Sequence, residues 1–497
     1  MHAYTKSDRP HLLLINPWIT DFAAYDFWLK PMGLLYLAAV LRRQGYAVRL
    51  VDCMDRAHPA VLQWQGIAQP INQRWSTGKF LRTPIPKPVV YRNIPRYYAR
   101  YGMPSEIFEK LCLAGPKPDA ILVTSGMTYW YPGVQMTIAT LRRFFPDTPI
   151  LLGGIYATLC TEHARKFSGA DVVIAGEAES VIDDKLRSVL DLGHSTSDFG
   201  PSTSDLFPTL DDLPFPAFDL YPRLQFATIM TSRGCPLRCT FCASNIVSGK
   251  YRWRSIDSVS AELEWLHRGL GVNEFAFYDD ALLTNRDRHF LPLCEKIMQQ
   301  QITASFHTPN GLQAKFIDAT TAKLMWRSGF KTIRLAYESG SVERQRDMSK
   351  KVNNESFALA VENLYAAGFG PAELDAYVMM ALPDQPLQEI LWSMAYVHSL
   401  GVGIRLAAFS PIPGTVEFAR AVARGELAHD ADPLLTNNSI LPIRLPNVPY
   451  ANYAKINMLS KELNRYLLKT GRPLDAMGDL YKRLNSQLDL ETMPLQN

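Results

Sequence analysis

Short apolar runs of strand length alternate with stretches of helical periodicity along most of this 497-residue chain. That alternation restricts the fold to α/β layers, because a strand that returns through a helix must lie parallel to its predecessor. Five runs belong to residues 11–195: His11-Leu-Leu-Leu-Ile-Asn16, Ala47-Val-Arg-Leu-Val-Asp52, Asp119-Ala-Ile-Leu-Val-Thr-Ser125, Pro149-Ile-Leu-Leu-Gly-Gly154 and Asp171-Val-Val-Ile-Ala-Gly176. They predict a doubly wound, Rossmann-like parallel sheet, whose ligands bind beyond the carboxyl ends of the strands. Asn16-Pro17, Ser125-Gly-Met127, Gly153-Gly154 and Gly176-Glu177 stand at those ends. No Gly-x-Gly-x-x-Gly follows the first strand, which argues against a dinucleotide.

A second alternating block begins at Phe226. After the run that opens it come strands at Glu274–Asp280, Thr303–His307, Thr332–Tyr337, Leu374–Met380 and Gly403–Phe409, with helices predicted at 258–270, 288–300, 318–328, 356–367 and 386–400. These units predict a partial, TIM-like (β/α)6 barrel with its chemistry at the strand ends. The chain is too long for one core, and the Ser/Thr/Pro-rich stretch 194–205 marks the boundary. We expect an N-terminal domain over 1–195, a linker over 196–222, the barrel over 223–425 and a helical cap over 426–497, where 453–469 is amphipathic.

The chemistry is concentrated in Cys235-Pro-Leu-Arg-Cys239-Thr-Phe-Cys242, on a loop after the first barrel strand. Thiolates suit zinc or iron-sulfur clusters, and a closed zinc site wants four ligands, whereas no further Cys or His lies nearby. A four-iron cluster on three thiolates leaves one iron open to a small molecule. A zinc-knuckle fragment or a chance cluster is the plainer alternative. Cys53, Cys112, Cys160 and Cys294 are scattered in apolar surroundings and read as buried small hydrophobes. The odd total of seven cysteines argues against a disulfide framework.

The Cys-x3-Cys-x2-Cys run resembles the signature of the radical S-adenosylmethionine (radical SAM) enzymes. That resemblance implies a 4Fe-4S cluster on Cys235, Cys239 and Cys242, with S-adenosylmethionine on its open iron and Phe241 near the adenine. Tyr278-Asp279-Asp280 resembles the family element that meets the methionine amino group, and Glu338-Ser339-Gly340 the one that meets the ribose. Met380-Ala381-Leu-Pro383 stands where a Gly-x-x-Pro element forms an adenine wall, with Ala381 in place of Gly, and Ser410-Pro-Ile-Pro-Gly-Thr415 resembles the last-strand signature. His307, Asn310, Arg334, Tyr337 and Tyr377 also fall near strand ends, where each can equally be an ordinary core or cap residue.

The first half resembles the cobalamin-binding domain that precedes the barrel in one branch of that family. Ser125 and Met127 match its Ser-x-Leu element, and Gly153-Gly154 its double glycine, so the resemblance places the cobalamin tail there. The family's Asp-x-His-x-x-Gly motif is absent, since Trp18-Ile-Thr-Asp-Phe-Ala-Ala-Tyr-Asp26 follows the first strand, so no imidazole from that motif ligates cobalt. Residues 54–118 form an insertion far longer than an ordinary connection. From Arg56 to Ser105 it carries Arg74, Lys79, Arg82, Lys87, Arg92, Arg96 and Arg100 with no Asp or Glu, interleaved with Trp75, Tyr91, Tyr97, Tyr98 and Tyr101. A cap over cofactor or substrate is expected of it. Basic residues among aromatics also suit nucleic acid, which a net charge of only +4 does not favour as a partner.

The resemblance implies methyl transfer from S-adenosylmethionine through cobalamin to an unactivated carbon or to phosphorus of a small-molecule or peptide substrate. It also implies an electron donor such as flavodoxin or ferredoxin. A radical cyclase, rearrangement or oxidation enzyme, and a cobalamin- or redox-sensing module, stand beside that reading. No run reaches the apolar length of a membrane span and the N-terminus lacks a signal-peptide core, so a cytoplasmic protein is expected.

Overall fold

The computed structural model describes residues 9–191, 207–348, 351–445 and 448–488. The whole of the Ser/Thr-rich boundary stretch 194–205 lies outside them. The chain forms two compact units, one drawn from Met1–Thr228, Ile246–Glu274 and Asp432–Leu435, the other from Ile229–Asn245, Phe275–Ala431 and Thr436–Asn497.

In the first unit five parallel strands lie in the spatial order Val172–Val173, Ile150–Leu152, Ala120–Val123, His11–Asn16, Ala47–Asp52. The strand order reverses beside His11–Asn16, the place where doubly wound sheets open a crevice. Leu12, Leu13, Leu14 and Ile15 are all buried, as are Ala120–Val123 and Ile150–Leu152. Such uninterrupted apolar runs belong to strands covered on both faces, which is why they were legible without alternation.

The insertion is ordered around small antiparallel pieces. Ile19–Asp21 pairs with Ala99–Tyr101, which pairs in turn with Arg82–Pro84, and Tyr25–Asp26 pairs with Gly78–Lys79. The residues that leave the first strand are therefore knitted into the insertion. Trp18 is 1% exposed and donates its Nε1 to the Met103 carbonyl at 2.8 Å, while Trp130 donates to Asp21 Oδ2 at 2.8 Å.

The second unit is built on a six-stranded sheet whose strands follow sequence order: Ala227–Ile229, Glu274–Phe277, Ser305–Gln313, Phe330–Glu338, Leu374–Met380 and Gly403–Ala408. The last four pair in parallel, as a partial barrel requires. Helix limits follow local chemistry. Asp318 caps Ala319–Ser328 by accepting from Thr321 N at 2.8 Å, and Gly329 at φ +96° ends it. Asn353 and Ser356 form a reciprocal capping box at the start of Asn354–Ala367. The third barrel strand runs to Gln313, beyond the expected 303–307, because its pairing with the next strand resumes after an irregularity between Thr308 and Leu312. The helix predicted at 258–270 instead ends at Glu264 and widens into a π turn over Trp265–Gly269.

The amphipathic C-terminal pattern forms the helix Tyr450–Thr470. Asn464 donates to the Ile404 carbonyl and accepts from its amide, both at 2.7 Å, so this helix covers the outer strand of the sheet. An exposed edge is thereby closed. Among the described residues no helix is long and apolar enough to cross a membrane.

Candidate functional site

The three cysteines occupy a loop fixed at several points. Gly234, at φ +77°, turns the chain out of the short Ser232–Arg233 strand. Thr240 then donates its amide to the Met348 carbonyl at 2.9 Å and accepts from the Glu417 amide at 3.0 Å. Asn245 Nδ2 holds the Leu237 carbonyl at 2.8 Å, and the Ser244 amide donates to Cys242 Sγ at 3.4 Å. Burial pushes the Cys239 thiol up to about 12, opposed by the Lys351 ammonium. Burial also raises the Cys235 and Cys242 thiols, each opposed by a backbone amide. A bound metal centre replaces those protons and reverses the shift.

Among the described residues no three His, Cys, Asp or Glu side chains converge as ligands of one ion. That does not suit a mononuclear zinc site, whereas an iron-sulfur cluster takes each thiolate on a different iron. The donor set, three thiols with an amide aimed at one sulfur, fits such a cluster.

The expected S-adenosylmethionine residues divide into two kinds. Asp279 is 3% exposed, and its Oδ1 accepts from the Thr231 amide, Thr231 Oγ1 and Ser232 Oγ at 3.0, 2.7 and 2.6 Å. It ties the first strand end to the second, and burial raises its pKa against those donors. Asp280 lies on the cysteine side, accepting from Ser244 Oγ at 2.5 Å, and burial raises it too, opposed by Ser244 and Lys351. Asn310 fastens the backbone between them, donating Nδ2 to the carbonyls of Tyr278 and Asp279 at 2.9 and 3.2 Å.

Glu338 closes the fourth strand at φ +67°, a conformation that costs a side-chain-bearing residue about 1–2 kcal/mol. Its Oε1 faces Lys351 Nζ at 3.5 Å. Ser339 is occupied structurally, donating to Glu389 Oε1 at 2.6 Å, and Gly340 has no room for a Cβ, which would fall 2.1 Å from the Trp392 ring. Ala381 is also left-handed, at φ +59°, which explains why glycine suits that position. Phe241 is partly buried and packs against a core cluster that contains Met348, Met379, Leu382 and Phe409.

Other strand-end candidates are engaged within the protein. His307 Nδ1 meets Thr332 Oγ1 at 3.1 Å, Tyr337 donates to Asn354 Oδ1 at 2.7 Å, and Arg334 donates to Tyr377 Oη at 3.0 Å while Tyr377 donates to the Pro309 carbonyl at 2.7 Å. Lys351 is the residue that sequence reasoning missed. It carries no motif, and its electrostatic influence on all three thiols, Asp280 and Glu338 emerges only from the fold.

In the first unit the double glycine is shaped by close approach. A Cβ on Gly154, at φ +92°, would lie 2.4 Å from the Ser125 carbonyl oxygen, whereas one on Gly153 would meet nothing closer than 3.8 Å. Ser125 Oγ donates to the Gly153 carbonyl at 2.6 Å and accepts from the Ala157 amide at 3.3 Å. Met127 is 45% exposed. The result is an open edge beside a locked one, a cradle that fits a flat or extended cofactor portion. Cys53, Cys112 and Cys294 are buried as expected, whereas Cys160 is only partly so, because it sits at the junction of the helices Ile155–Leu159 and Thr161–Phe167.

Residues 229–397 match the Radical SAM superfamily model. An uncharacterised methyltransferase of Pyrococcus horikoshii is 26% identical over 333 residues, spanning 62% of this chain and 71% of its own. The cytidylyl-2-hydroxyethylphosphonate methyltransferase of Streptomyces wedmorensis is 24% identical over 473 residues, spanning 83% of this chain and 82% of its own. The radical S-adenosylmethionine methyltransferase TsrM of Kitasatospora setae, solved with cobalamin and a [4Fe-4S] cluster, superposes with a TM-score of 0.59 at 14% identity, over 84% of this chain and 75% of that one.

Proposed function

We propose that this chain, a member of the radical SAM superfamily with the fold of its cobalamin-dependent enzymes, transfers methyl groups from S-adenosylmethionine to an unactivated carbon or to phosphorus of a small-molecule or peptide substrate. The observation that carries the reading is the anchored Cys235–Cys242 loop, facing Asp280, Glu338 and Lys351 beside the strand ends of a six-stranded sheet. Its likeness to two methyltransferases, one across more than four-fifths of both chains, supports methyl transfer over other radical chemistry.

When bound, the cluster supplies the electron that splits S-adenosylmethionine, and cobalamin supplies the methyl carrier. The protein's own residues do the holding. Cys235, Cys239 and Cys242 are the cluster ligands. Asp280 and the Tyr278 backbone receive the methionine ammonium, a charge-assisted contact in a poorly solvated place. Lys351 offers the opposite charge to the carboxylate, and Glu338 accepts from the ribose hydroxyls. Phe241 and Ala381 line the adenine. Asp279 and Ser339 act at one remove, keeping the strand ends in register. On the doubly wound sheet Ser125, Met127, Gly153 and Gly154 cradle the cobalamin tail. The N-terminal sheet over 1–195, the barrel over 223–425 and the helical segment after it are the working domains. A flavodoxin- or ferredoxin-type protein delivers electrons, and the reducing cytoplasm keeps the thiols available.

The test is anaerobic. Reconstituted protein is given S-adenosylmethionine with a deuterated methyl group, a reductant and candidate acceptors. Equal yields of 5'-deoxyadenosine and S-adenosylhomocysteine, with label in the acceptor, are expected. Formation of 5'-deoxyadenosine without S-adenosylhomocysteine would move the chain to radical oxidation or cyclisation.

A further inference from the structure

The insertion in the first unit helps to line a half-open cavity of about 340 Å³ that none of the chemistry above uses. Its lining starts at Cys53, the residue after the strand Ala47–Asp52, so the cavity lies at the carboxyl end of the sheet, where this fold admits ligands. Gly102 shapes it: at φ +117°, a Cβ there would fall 2.5 Å from the Cys53 carbonyl oxygen, so the two segments touch backbone to backbone.

Val61, Phe80 and Met103 give the lining an apolar character that suits a carbon-rich body. Three charged residues also line it, and they are not equivalent. Arg56 is neutralised, donating Nε to the buried Asp26 at 2.9 Å and Nη2 to the Ser76 carbonyl at 2.8 Å. Lys79 is exposed and presents its ammonium in a segment that has no Asp or Glu from Arg56 to Ser105. Asp55 is 5% exposed; its Oδ1 accepts from the Ala57 amide at 3.0 Å, while its buried Oδ2 accepts from no protein group. An unmatched buried acceptor beside a cavity is a place for a ligand donor.

We propose that this cavity binds a small amphipathic molecule with an apolar body, one anionic group directed to Lys79 and a hydroxyl, amine or amide N–H directed to Asp55. The inference concerns the first unit alone and stands whether or not the chain transfers methyl groups.

The test is titration calorimetry on the full reconstituted protein, using 8-anilinonaphthalene-1-sulfonate as the anionic probe and uncharged N-phenyl-1-naphthylamine as its control. Saturable binding of one anionic probe per chain is expected, lost in Val61→Trp and weakened about fivefold in Lys79→Glu. The half-buried Gln65, also in the lining, allows a second filling variant, Gln65→Trp, to decide the matter if Val61→Trp fails to fold. No binding, or binding indifferent to both tryptophan variants, overturns the site. Equal affinity for the uncharged probe together with no response to Lys79→Glu overturns the anionic class.

Discussion

The two parallel sheets of this molecule place their candidate sites by the same rule, at the carboxyl ends of strands, yet they build them from different materials. The barrel edge is made of donors: three thiols, Asp280, Glu338 and Lys351, where burial raises the thiols and Asp280 and the Lys351 ammonium opposes it, 3.5 Å from Glu338. The edge of the doubly wound sheet is made of shape: Gly154 touching Ser125, Gly153 left open, and a basic insertion folded around the residues that leave the first strand. A site built from donors should fail when one atom is removed. A site built from shape should fail when one is added.

The sharpest break is Cys239→Ala, which should reduce 5'-deoxyadenosine formation to background while cobalamin retention stays within error of wild type. Persistent cleavage in that variant would remove the thiols from the chemistry. Next, Gly154→Val should lose cobalamin on desalting and destabilise the fold by about 2–4 kcal/mol in denaturant titrations, because its side chain would meet the Ser125 backbone from a left-handed conformation. Retained cobalamin and an unchanged midpoint would show that the close approach is not required.

Glu338→Ala should weaken S-adenosylmethionine binding about tenfold, the effect of one charge-assisted hydrogen bond. Unchanged affinity by calorimetry would take Glu338 out of the site. The smallest effect is expected of Ala381→Gly, which relieves a left-handed alanine and should stabilise the protein by about 0.5–1 kcal/mol. The loss usual for an introduced glycine would mean that the strain is not felt there.

The same contrast explains what was legible in the sequence. Long apolar strands covered on both faces announce themselves, and so does a spaced trio of thiols. Glu338 and Ala381 could be read because they stand at fixed places in a recurring strand order. Asp279 stands in a motif that resembles a ligand element, and its partners Thr231 and Ser232, just past the first barrel strand and 47 or 48 positions away, show only in the fold. Lys351 had no pattern around it at all. In the insertion, strands of two or three residues such as Gly78–Lys79 and Ala99–Tyr101 are too short to carry a period of two, so a stretch that looks like a long irregular loop is in fact paired. The Arg254–Glu262 ion pair, buried on both sides, is likewise invisible in the sequence, because Arg254 stands before the helix Ile256–Glu264 and Glu262 within it.

The most direct test of the central claim is to reconstitute the protein anaerobically with iron, sulfide and hydroxocobalamin, desalt it, add S-adenosylmethionine and reductant, and measure iron, cobalamin, 5'-deoxyadenosine and S-adenosylhomocysteine in one preparation. The account predicts about four irons and one cobalamin per chain with both nucleoside products formed. A protein that takes up iron yet yields no 5'-deoxyadenosine and retains no cobalamin would contradict it.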